Sequence, residues 1–327
     1  MKVLFATYPM AFHTPGGGEI QLLAYQKHLP AYGIDVSLFD PWAPRFMEHD
    51  VVHFFSCVGG SVHFCNFVKQ LGLPLVVSSS LWVTEETAHL YPIDEIRHQL
   101  SLADRVIANS DIECETLAKV LSLPREKFVT VYNGVESSFY DKVSAHLFRD
   151  NFKIRGRFVL NVGNIEPRKN QLSLIRAMKS MPDLQLVLIG HQRDPAYARE
   201  CLAEGGDQVL YLGALEHKSP LLRSAYAAAE VFCLPSTLET PGLAALEAYA
   251  AGCPTAITKI GSTKEYFGDQ VEYLDPFDDC DIAAAVQRAR QRTAATPDDG
   301  RSVAIFTQEL SWPTVLERLH TTYRSLV

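Results

Sequence analysis

The sequence predicts an α/β protein of two doubly wound, Rossmann-like domains that face each other across a cleft. Short β-branched runs alternate with amphipathic stretches of about 10 to 15 residues, which is typical of parallel strands joined by helices. This alternation restarts after a mixed, polar stretch at residues 136–156. The length of 327 residues is enough for two domains of ordinary size.

The first domain is expected to alternate strands and helices from its first residues. Its predicted strands are, in order, KVLFAT, DVSLFD, VVHFFS, PLVVSSS, VIA and KFVTVYNGV. Helical patterns lie between them in EIQLLAYQKHLPAYG, in GGSVHFCNFVKQLG and after VIANS, where Ser110 or Asp111 is expected to cap the helix.

The second domain is expected to repeat this plan. Its strands and helices are predicted in RFVLNVGNIEPRKNQLSLIRAMKSM, LQLVLIGH, QVLYLGAL, LLRSAYAAAEVFCLPS, CPTAITK and VEYLDP. The ending LSWPTVLERLHTTYRSLV predicts one more amphipathic helix, at about 311–327, that packs back on the first domain. We therefore place the two domains at residues 1–145 and 146–310.

Composition argues against several classes of protein. The net charge of −8, which arises mainly within the first 140 residues, argues against nucleic acid as a partner. We find no apolar run of about 18 residues, as a membrane span would need, and the first residues resemble a strand and not a signal peptide. The seven cysteines form no C-x-x-C pair, which favours reduced thiols in a cytoplasmic protein.

A glycine-rich segment, TPGGGEI, follows the first predicted strand and opens the first helix. Gly16, Gly17 and Gly18 would let a ligand approach the backbone, and the amides at a helix start favour anionic or oxygen-rich groups. The segment does not match the dinucleotide-binding fingerprint, because the third glycine is missing. We interpret it as the lining of a cleft, with a plain flexible loop as the alternative.

The segment NVGNIEPRKNQ has the same plan of strand, loop and helix. It places two cations, Arg168 and Lys169, where a helix begins, although the helix dipole favours anions there. This placement is explained if a strong anion such as a diphosphate binds between them. The alternative is a pair of solvated surface charges.

The segment ETPGLAALEAYAAGCP carries two glutamates around a short predicted helix, with Thr240 as its cap and Pro241 as its first residue. Glu247 lies on the apolar stripe of this helix, and a buried carboxylate needs a partner. The vicinal hydroxyls of a ribose could supply it. The alternative partner is a buried Arg or Lys.

The spacing Asp279-Cys280-Asp281 is one that could hold a divalent ion beneath a diphosphate. It directly precedes the helical pattern IAAAVQRARQR, so we interpret Asp281 as an N-terminal helix cap and expect no metal site.

Taken together, these segments resemble the retaining glycosyltransferases of the GT-B fold, family 4, also called glycosyl transferases group 1. ETPGLAALEAYAAGCP followed by GSTKE is similar to their E-x7-E signature. VIANS, VYNGVE, the stretch from YLGAL to VFCLPS, and LSWPTVLERL resemble further family landmarks in the expected order, over nearly the whole chain.

The resemblance implies roles for individual residues. The second domain would bind a nucleotide diphosphate sugar, with Glu247 on the ribose, Glu239 near the sugar and Lys169, with Arg168, on the diphosphate. Catalytic roles are thus expected for Glu239, Lys169 and Arg168. The remaining donor-binding positions are expected to be Pro241, Gly242, Leu243, Gly163, Asn164, Gly190 and Gly213. The first domain would bind the acceptor, with Gly16, Gly17, Gly18 and Ser80 lining the cleft.

The resemblance further implies a hexosyltransferase that keeps the anomeric configuration and needs no cofactor or metal. Its acceptor would be a glycan, a lipid-linked sugar or a small molecule, and its membrane contact would be peripheral at most. Two departures from the family pattern leave alternatives open. Asn164 stands where many members carry an Arg, and VVSSSLW lacks the His that many members place there. A degenerate sugar-binding protein and a nucleotide-sugar epimerase are the alternatives.

Overall fold

The computed structural model describes residues 1–295 and 309–327. The chain divides into two compact units, one formed by Met1–Gly134 with Leu310–Val327 and the other by Val135–Glu309. Each unit contains a six-stranded sheet in which every strand pair is parallel. The predicted α/β class with two Rossmann-like units is confirmed.

The sheet of the first unit has the order β2-β1-β3-β4-β5-β6. Its strands are Lys2–Thr7 (β1), Asp35–Leu38 (β2), Val51–Phe55 (β3), Leu75–Ser78 (β4), Arg105–Ala108 (β5) and Phe128–Thr130 (β6). The helices that connect them are Gly17–His28 (α1), Val62–Gln70 (α2), Ile93–Leu102 (α3) and Asp111–Leu121 (α4).

The sheet of the second unit has the order β12-β11-β10-β7-β8-β9. Its strands are Phe158–Val162 (β7), Gln185–Ile189 (β8), Val209–Tyr211 (β9), Val231–Leu234 (β10), Thr255–Thr258 (β11) and Glu272–Leu274 (β12). Its helices are Ala145–Phe152 (α5), Gln171–Met178 (α6), Pro195–Gly205 (α7), Pro220–Ala228 (α8), Leu243–Ala250 (α9), Thr263–Phe267 (α10) and Asp279–Ala295 (α11).

The local signals in the sequence explain these elements. All residues of β3, β4, β10 and β11 are buried, as expected for strands covered by helices on both faces. The side chain of Ser110 accepts a hydrogen bond of 3.0 Å from the amide of Glu113, so Ser110, and not Asp111, caps α4.

One part of the sequence that showed no strong period is nevertheless helical. Helix α5 lies inside the polar stretch 136–156, and it packs on α8 through the buried Phe148, whose amide donates to the hydroxyl of Ser224. The second unit therefore begins at Val135, earlier than the predicted boundary between residues 145 and 146. Packing on α8 stabilises α5, whose eight residues are too few for a strong periodic signal.

The last helix of the chain, Trp312–Arg324 (α12), is part of the first unit. Trp312 is buried and packs edge-to-face on Tyr25 of α1, with 5.8 Å between ring centroids. A side chain at Gly134 would collide with this indole, because a Cβ there would lie 2.7 Å from it. The hydroxyl of Tyr323 lies 2.5 Å from Nδ1 of His53 in β3, which joins the helix to the centre of the sheet.

The cysteines form no disulfide bonds. Six of the seven cysteines are buried and Cys280 is exposed, and all seven are free thiols.

None of the described helices combines the length and the apolar character needed to cross a bilayer.

We expect the first unit to lose stability in acid through His53. This imidazole is fully buried, its Nε2 bonds the hydroxyl of Ser78 at 2.8 Å, and burial lowers its pKa to about 3. An unfolded histidine titrates near about 6.5, so the unfolded chain takes up a proton that the folded chain does not. Neutral, buried His53 therefore contributes its full stabilisation above the unfolded pKa of about 6.5. As the pH falls from there towards the folded pKa, this stabilisation is lost by about 1.4 kcal/mol per pH unit.

Thermal unfolding of His53→Gln between pH 7 and pH 4 tests this expectation. The variant should melt lower than the wild type at pH 7 and should show a smaller fall in Tm on acidification. The matched control is His89→Gln, at an exposed position of the same unit. A wild-type slope of Tm against pH in the His53 variant would contradict the assignment.

Candidate functional site

Three glycines lie in a row at the carboxyl edge of the second sheet. Gly163, Gly190 and Gly213 follow β7, β8 and β9, and backbone hydrogen bonds of 2.9 Å join Gly163 to Ile189 and Gly190 to Gly213. A Cβ at Gly190 would lie 1.9 Å from the carbonyl oxygen of Gly163. Only glycine at position 190 allows the loops after β7 and β8 to approach so closely, and the result is a backbone surface at the edge where ligands of such sheets bind.

Lys169 lies beside this row. It belongs to a 3-10 turn, Pro167–Lys169, that precedes α6, and its methylene chain passes within 3.7 Å of where a Cβ on Gly163 would stand. Its Nζ lies 2.5 Å from Oε1 of Glu239 in the loop after β10. Lys169 and Glu239, which lie far apart in the sequence, therefore form an ion pair.

Both members of this ion pair are largely removed from water, and burial is the largest single influence on the pKa of each. Burial lowers the pKa of Lys169, and the facing carboxylate offsets only part of that effect. Burial alone would raise the pKa of Glu239, but the charges of Lys169 and Arg168 outweigh it and hold the pKa below the ordinary value. Glu239 is thus held ionised, with Lys169 as its main counter-charge.

Arg168 occupies the exposed side of the same cluster. Its guanidinium donates to the carbonyl oxygen of Leu238 at 3.2 Å and lies 3.9 Å from Oε1 of Glu239. A further contact of 3.2 Å joins it to Glu166, and 46% of its side chain is exposed. Arg168 therefore adds positive charge next to the Lys169–Glu239 pair, while part of its guanidinium stays open to solvent.

The segment after Glu239 does not have the predicted geometry. Helix α9 begins at Leu243 with Gly242 as its N-terminal flanking residue, so Thr240 is not the cap and Pro241 is not helical. The peptide bond between Thr240 and Pro241 is cis, and Gly242 has a φ of +90°, a conformation that favours glycine. The loop also pairs with the one after β11, since a Cβ on Gly261 would lie 2.0 Å from the carbonyl oxygen of Glu239.

Glu247 lies in α9 with 7% of its surface exposed, and its two partners were not identified from the sequence. Nε2 of His217 lies 2.5 Å from Oε1, and the hydroxyl of Tyr226 donates to Oε2 at 2.9 Å. The alternative of a buried Arg or Lys as the partner is therefore wrong. The partners come from α8 and the loop before it.

The carboxylate of Glu247 changes the titration of both neighbours. Burial by itself would lower the pKa of His217, but the hydrogen bond and the charge of Glu247, together with Glu136, raise it above the ordinary value. Burial and the same carboxylate raise the pKa of Tyr226, which therefore acts as a neutral donor. One signal could have pointed to His217, since it lies in the loop after a predicted strand, where ligand-binding residues are expected.

Asn164 lies next to the glycine row and is 9% exposed. The backbone carbonyl oxygen of Asn164 accepts a hydrogen bond of 3.0 Å from the side chain of Gln171, the first residue of α6. Asn164 is therefore a buried position that fixes the loop after β7.

The candidate acceptor residues of the first unit lie close to one another. Gly16 directly precedes α1, and Gly17 and Gly18 are its first residues, so the glycine segment forms the start of the helix itself. The amide of Gly16 donates to the carboxylate of Glu19 at 2.6 Å. Ser80 is exposed, and its hydroxyl oxygen lies 3.9 Å from where a Cβ on Gly18 would stand.

The interpretation of Asp281 as a helix cap is wrong. Asp278 takes that place, since its carboxylate accepts hydrogen bonds from the amides of Cys280 and Asp281 at 2.8 and 3.3 Å. The carboxylate of Asp281 reaches back from the first turn of α11 and accepts from the amide of Asp275 at 2.7 Å. Among the described residues, no group of three or more His, Cys, Asp or Glu could hold a metal ion.

Comparison with known proteins finds a family that matches part of the chain. The family described as glycosyl transferases group 1 matches residues 145–293, which include Lys169, Glu239 and Glu247.

Curated relatives of the chain are named as glycosyltransferases or mannosyltransferases. The D-inositol 3-phosphate glycosyltransferase of Mycolicibacterium smegmatis is 26% identical over 230 residues, which cover 68% of this chain and 52% of that protein. The O-antigen chain mannosyltransferase B of Escherichia coli is 27% identical over 220 residues, covering 62% of this chain and 57% of that protein. The chain thus spans about half the length of these relatives.

Solved structures match the chain over its whole length. The sucrose-phosphate synthase of Thermosynechococcus elongatus has a TM-score of 0.81 at 20% identity, covering 100% of this chain and 99% of that one. HepE of Anabaena, solved with UDP-glucose, has a TM-score of 0.82 at 20% identity, covering 99% and 100%. Residues 145–293 thus match the glycosyl transferases group 1 family, and the likeness to the solved structures shows that the chain has their fold, the GT-B fold.

Proposed function

We propose that the chain transfers a hexose from a nucleotide diphosphate sugar to an acceptor hydroxyl with retention of the anomeric configuration. The observation that carries this proposal is the buried Lys169–Glu239 ion pair beside the glycine row, at the carboxyl edge of the second sheet. A nucleotide sugar as donor is further supported by HepE, which was solved with UDP-glucose. The acceptor is a glycan, a lipid-linked sugar or a small molecule, and the reaction takes place in the cytoplasm, with peripheral membrane contact at most.

In this proposal Glu247 binds the ribose of the donor. A carboxylate has about four lone-pair sites, and His217 and Tyr226 engage one site on each oxygen. The other sites can accept hydrogen bonds from two vicinal hydroxyls. The two protein partners would hold the carboxylate in one orientation before the donor arrives.

Lys169 and Arg168 act on the diphosphate. As the bond between the anomeric carbon and the phosphate oxygen breaks, negative charge grows on the leaving group, and preorganised cations stabilise it. The acceptor oxygen forms the new bond to the anomeric carbon on the same face of the sugar, and its proton passes to an oxygen of the leaving phosphate. Glu239, which neutralises Lys169 in the free protein, would then lie next to the sugar.

We further propose that this transfer needs no metal ion. The carboxylate of Asp281, which belongs to the D-x-D spacing, is used within the fold, because it accepts a hydrogen bond from the amide of Asp275 and faces Arg288 at 3.9 Å. Neutralisation of the diphosphate is assigned instead to Lys169 and Arg168.

A screen of thermal stability against UDP, GDP, ADP and dTDP sugars tests donor binding. We expect the sugar nucleotide with the correct base to raise the Tm clearly. A ligand at about 100 times its Kd stabilises the folded protein by roughly 2.7 kcal/mol. Product analysis with that donor should then show transfer to an added acceptor. No shift with any of the four nucleotides would contradict a nucleotide sugar site.

Removal of Lys169 should abolish most of the turnover. Loss of one preorganised donor to a developing anion typically costs about 2.7–4 kcal/mol, or roughly 10²–10³ in rate, so Lys169→Ala should lower kcat by that factor. The matched control is Lys179→Ala, which removes an exposed lysine that pairs with Glu204 in the same unit. Near-normal turnover in a folded Lys169→Ala protein would overturn the proposed role.

His217 should influence binding of the donor through Glu247. His217→Gln removes the charged partner of this carboxylate, so we expect weaker nucleotide binding by about tenfold near neutral pH. The pKa of His217 is raised, so the charged partner is present at lower pH and is lost as the pH rises through that pKa. Measurement of the nucleotide Kd against pH should show this weakening in the wild type and in the exposed-site control His146→Gln, but not in His217→Gln.

A further inference from the structure

A cavity of about 660 Å³ lies in the second unit at the amino edge of its sheet, opposite to the edge that carries the glycine row. Its walls include residues 139–143, the second half of α8, the loop 251–254 before β11, and Arg290 of α11. The volume lies within the roughly 300–1,000 Å³ that small-molecule sites usually have. None of the residues proposed to bind the donor lines it.

Three cations and two carboxylates line this cavity, which gives a net charge of about +1. Arg290 is already used in the fold, because its Nε donates to Glu230 at 2.7 Å. The cationic groups left to act on a ligand are therefore those of Arg223 and Lys142.

Arg223 is a lining residue whose guanidinium is held in place by the fold. One nitrogen of its guanidinium donates to the carbonyl oxygen of Ser138 at 3.1 Å, which fixes the group in place, and only 20% of the side chain is exposed. Its Nε is buried and, among the described residues, has no hydrogen-bond partner, but it presents almost no surface to a ligand. A guanidinium carries five N–H donors, and those that the bond to Ser138 leaves unused can serve an anion that enters the cavity.

Two neighbours define the chemistry of that ligand. Asp141 lies 3.6 Å from the guanidinium but is 69% exposed, so water screens it and it competes weakly. Lys142 is exposed and, within the described part of the chain, forms no ion pair, so it can supply a second positive charge. An arginine with a nearby lysine suits a phosphate group, whose several acceptor oxygens can bond to both.

The lining also suits a small organic body. It includes the apolar or aromatic residues Tyr226, Phe139 and Pro254. The ring of Tyr226 packs on Phe139 with 6.0 Å between centroids, while its hydroxyl donates to Glu247. Tyr226 therefore both lines the cavity and holds Glu247.

We propose that this cavity binds a phosphate group, carried by a small organic molecule or free in solution, through Arg223 and Lys142. The proposal is independent of the reaction at the carboxyl edge of the sheet and stands whether or not the chain transfers a sugar.

Isothermal titration calorimetry with glucose 6-phosphate and with inorganic phosphate tests the proposal. The titrations use the full chain carrying Lys169→Ala, so that a phosphate on Lys169 does not contribute. We expect binding that Arg223→Gln weakens by about tenfold or more, which corresponds to about 1.4 kcal/mol, and that Lys142→Gln weakens several-fold. The matched control is Arg155→Gln, at an exposed position of the same unit outside the cavity, which should bind as before.

The two probes distinguish the source of the phosphate. Tighter binding of glucose 6-phosphate assigns the site to an organic phosphate, and equal binding assigns it to phosphate itself. Absence of binding at millimolar concentration, or equal affinity in all three variants, would overturn the proposal. Because Lys142 is exposed, its variant still tests the site if Arg223→Gln fails to fold.

Discussion

The carboxyl edge of the second unit depends on one buried ion pair, that of Lys169 with Glu239. Two ions removed from water gain little net stability from each other, but loss of either one leaves an uncompensated charge that costs about 3–5 kcal/mol. The pair joins the loop after β7 to the loop after β10, 70 residues apart in the sequence. It keeps a cation and a carboxylate side by side on the surface where a charged ligand would bind.

Close packing of the neighbouring loops at this carboxyl edge allows the Lys169–Glu239 pair to form. Gly190 lets the loops after β7 and β8 lie against each other, and Gly261 does the same for the loops after β10 and β11. A Cβ at Gly190 or Gly261 would meet backbone within about 2 Å, so these loops could not keep their positions with any other residue. Backbone amides and carbonyls are exposed in this way where a ligand could use them.

Glu247 shows a second way in which the fold accommodates a buried carboxylate. Within the described residues, no lysine or arginine pairs with it; a histidine whose pKa it raises and a neutral tyrosine share the carboxylate instead. Such hydrogen bonds orient a buried carboxylate without filling all its acceptor sites. Tyr226 also lines the cavity at the amino edge, together with Arg223. One residue therefore belongs both to that cavity and to the group that holds Glu247.

The sequence by itself determined the strand series, the restart of the pattern in a second unit, and the two glutamates of ETPGLAALEAYAAGCP, because alternation and helical periodicity are local properties of a chain. It could not supply the start of α9, which depends on the geometry of Gly242, or helix α5, which α8 stabilises. The partners of Glu239 and Glu247 were decided by the tertiary structure alone. They lie 21 to 70 residues away, and only the order of the strands in the sheet brings them into contact.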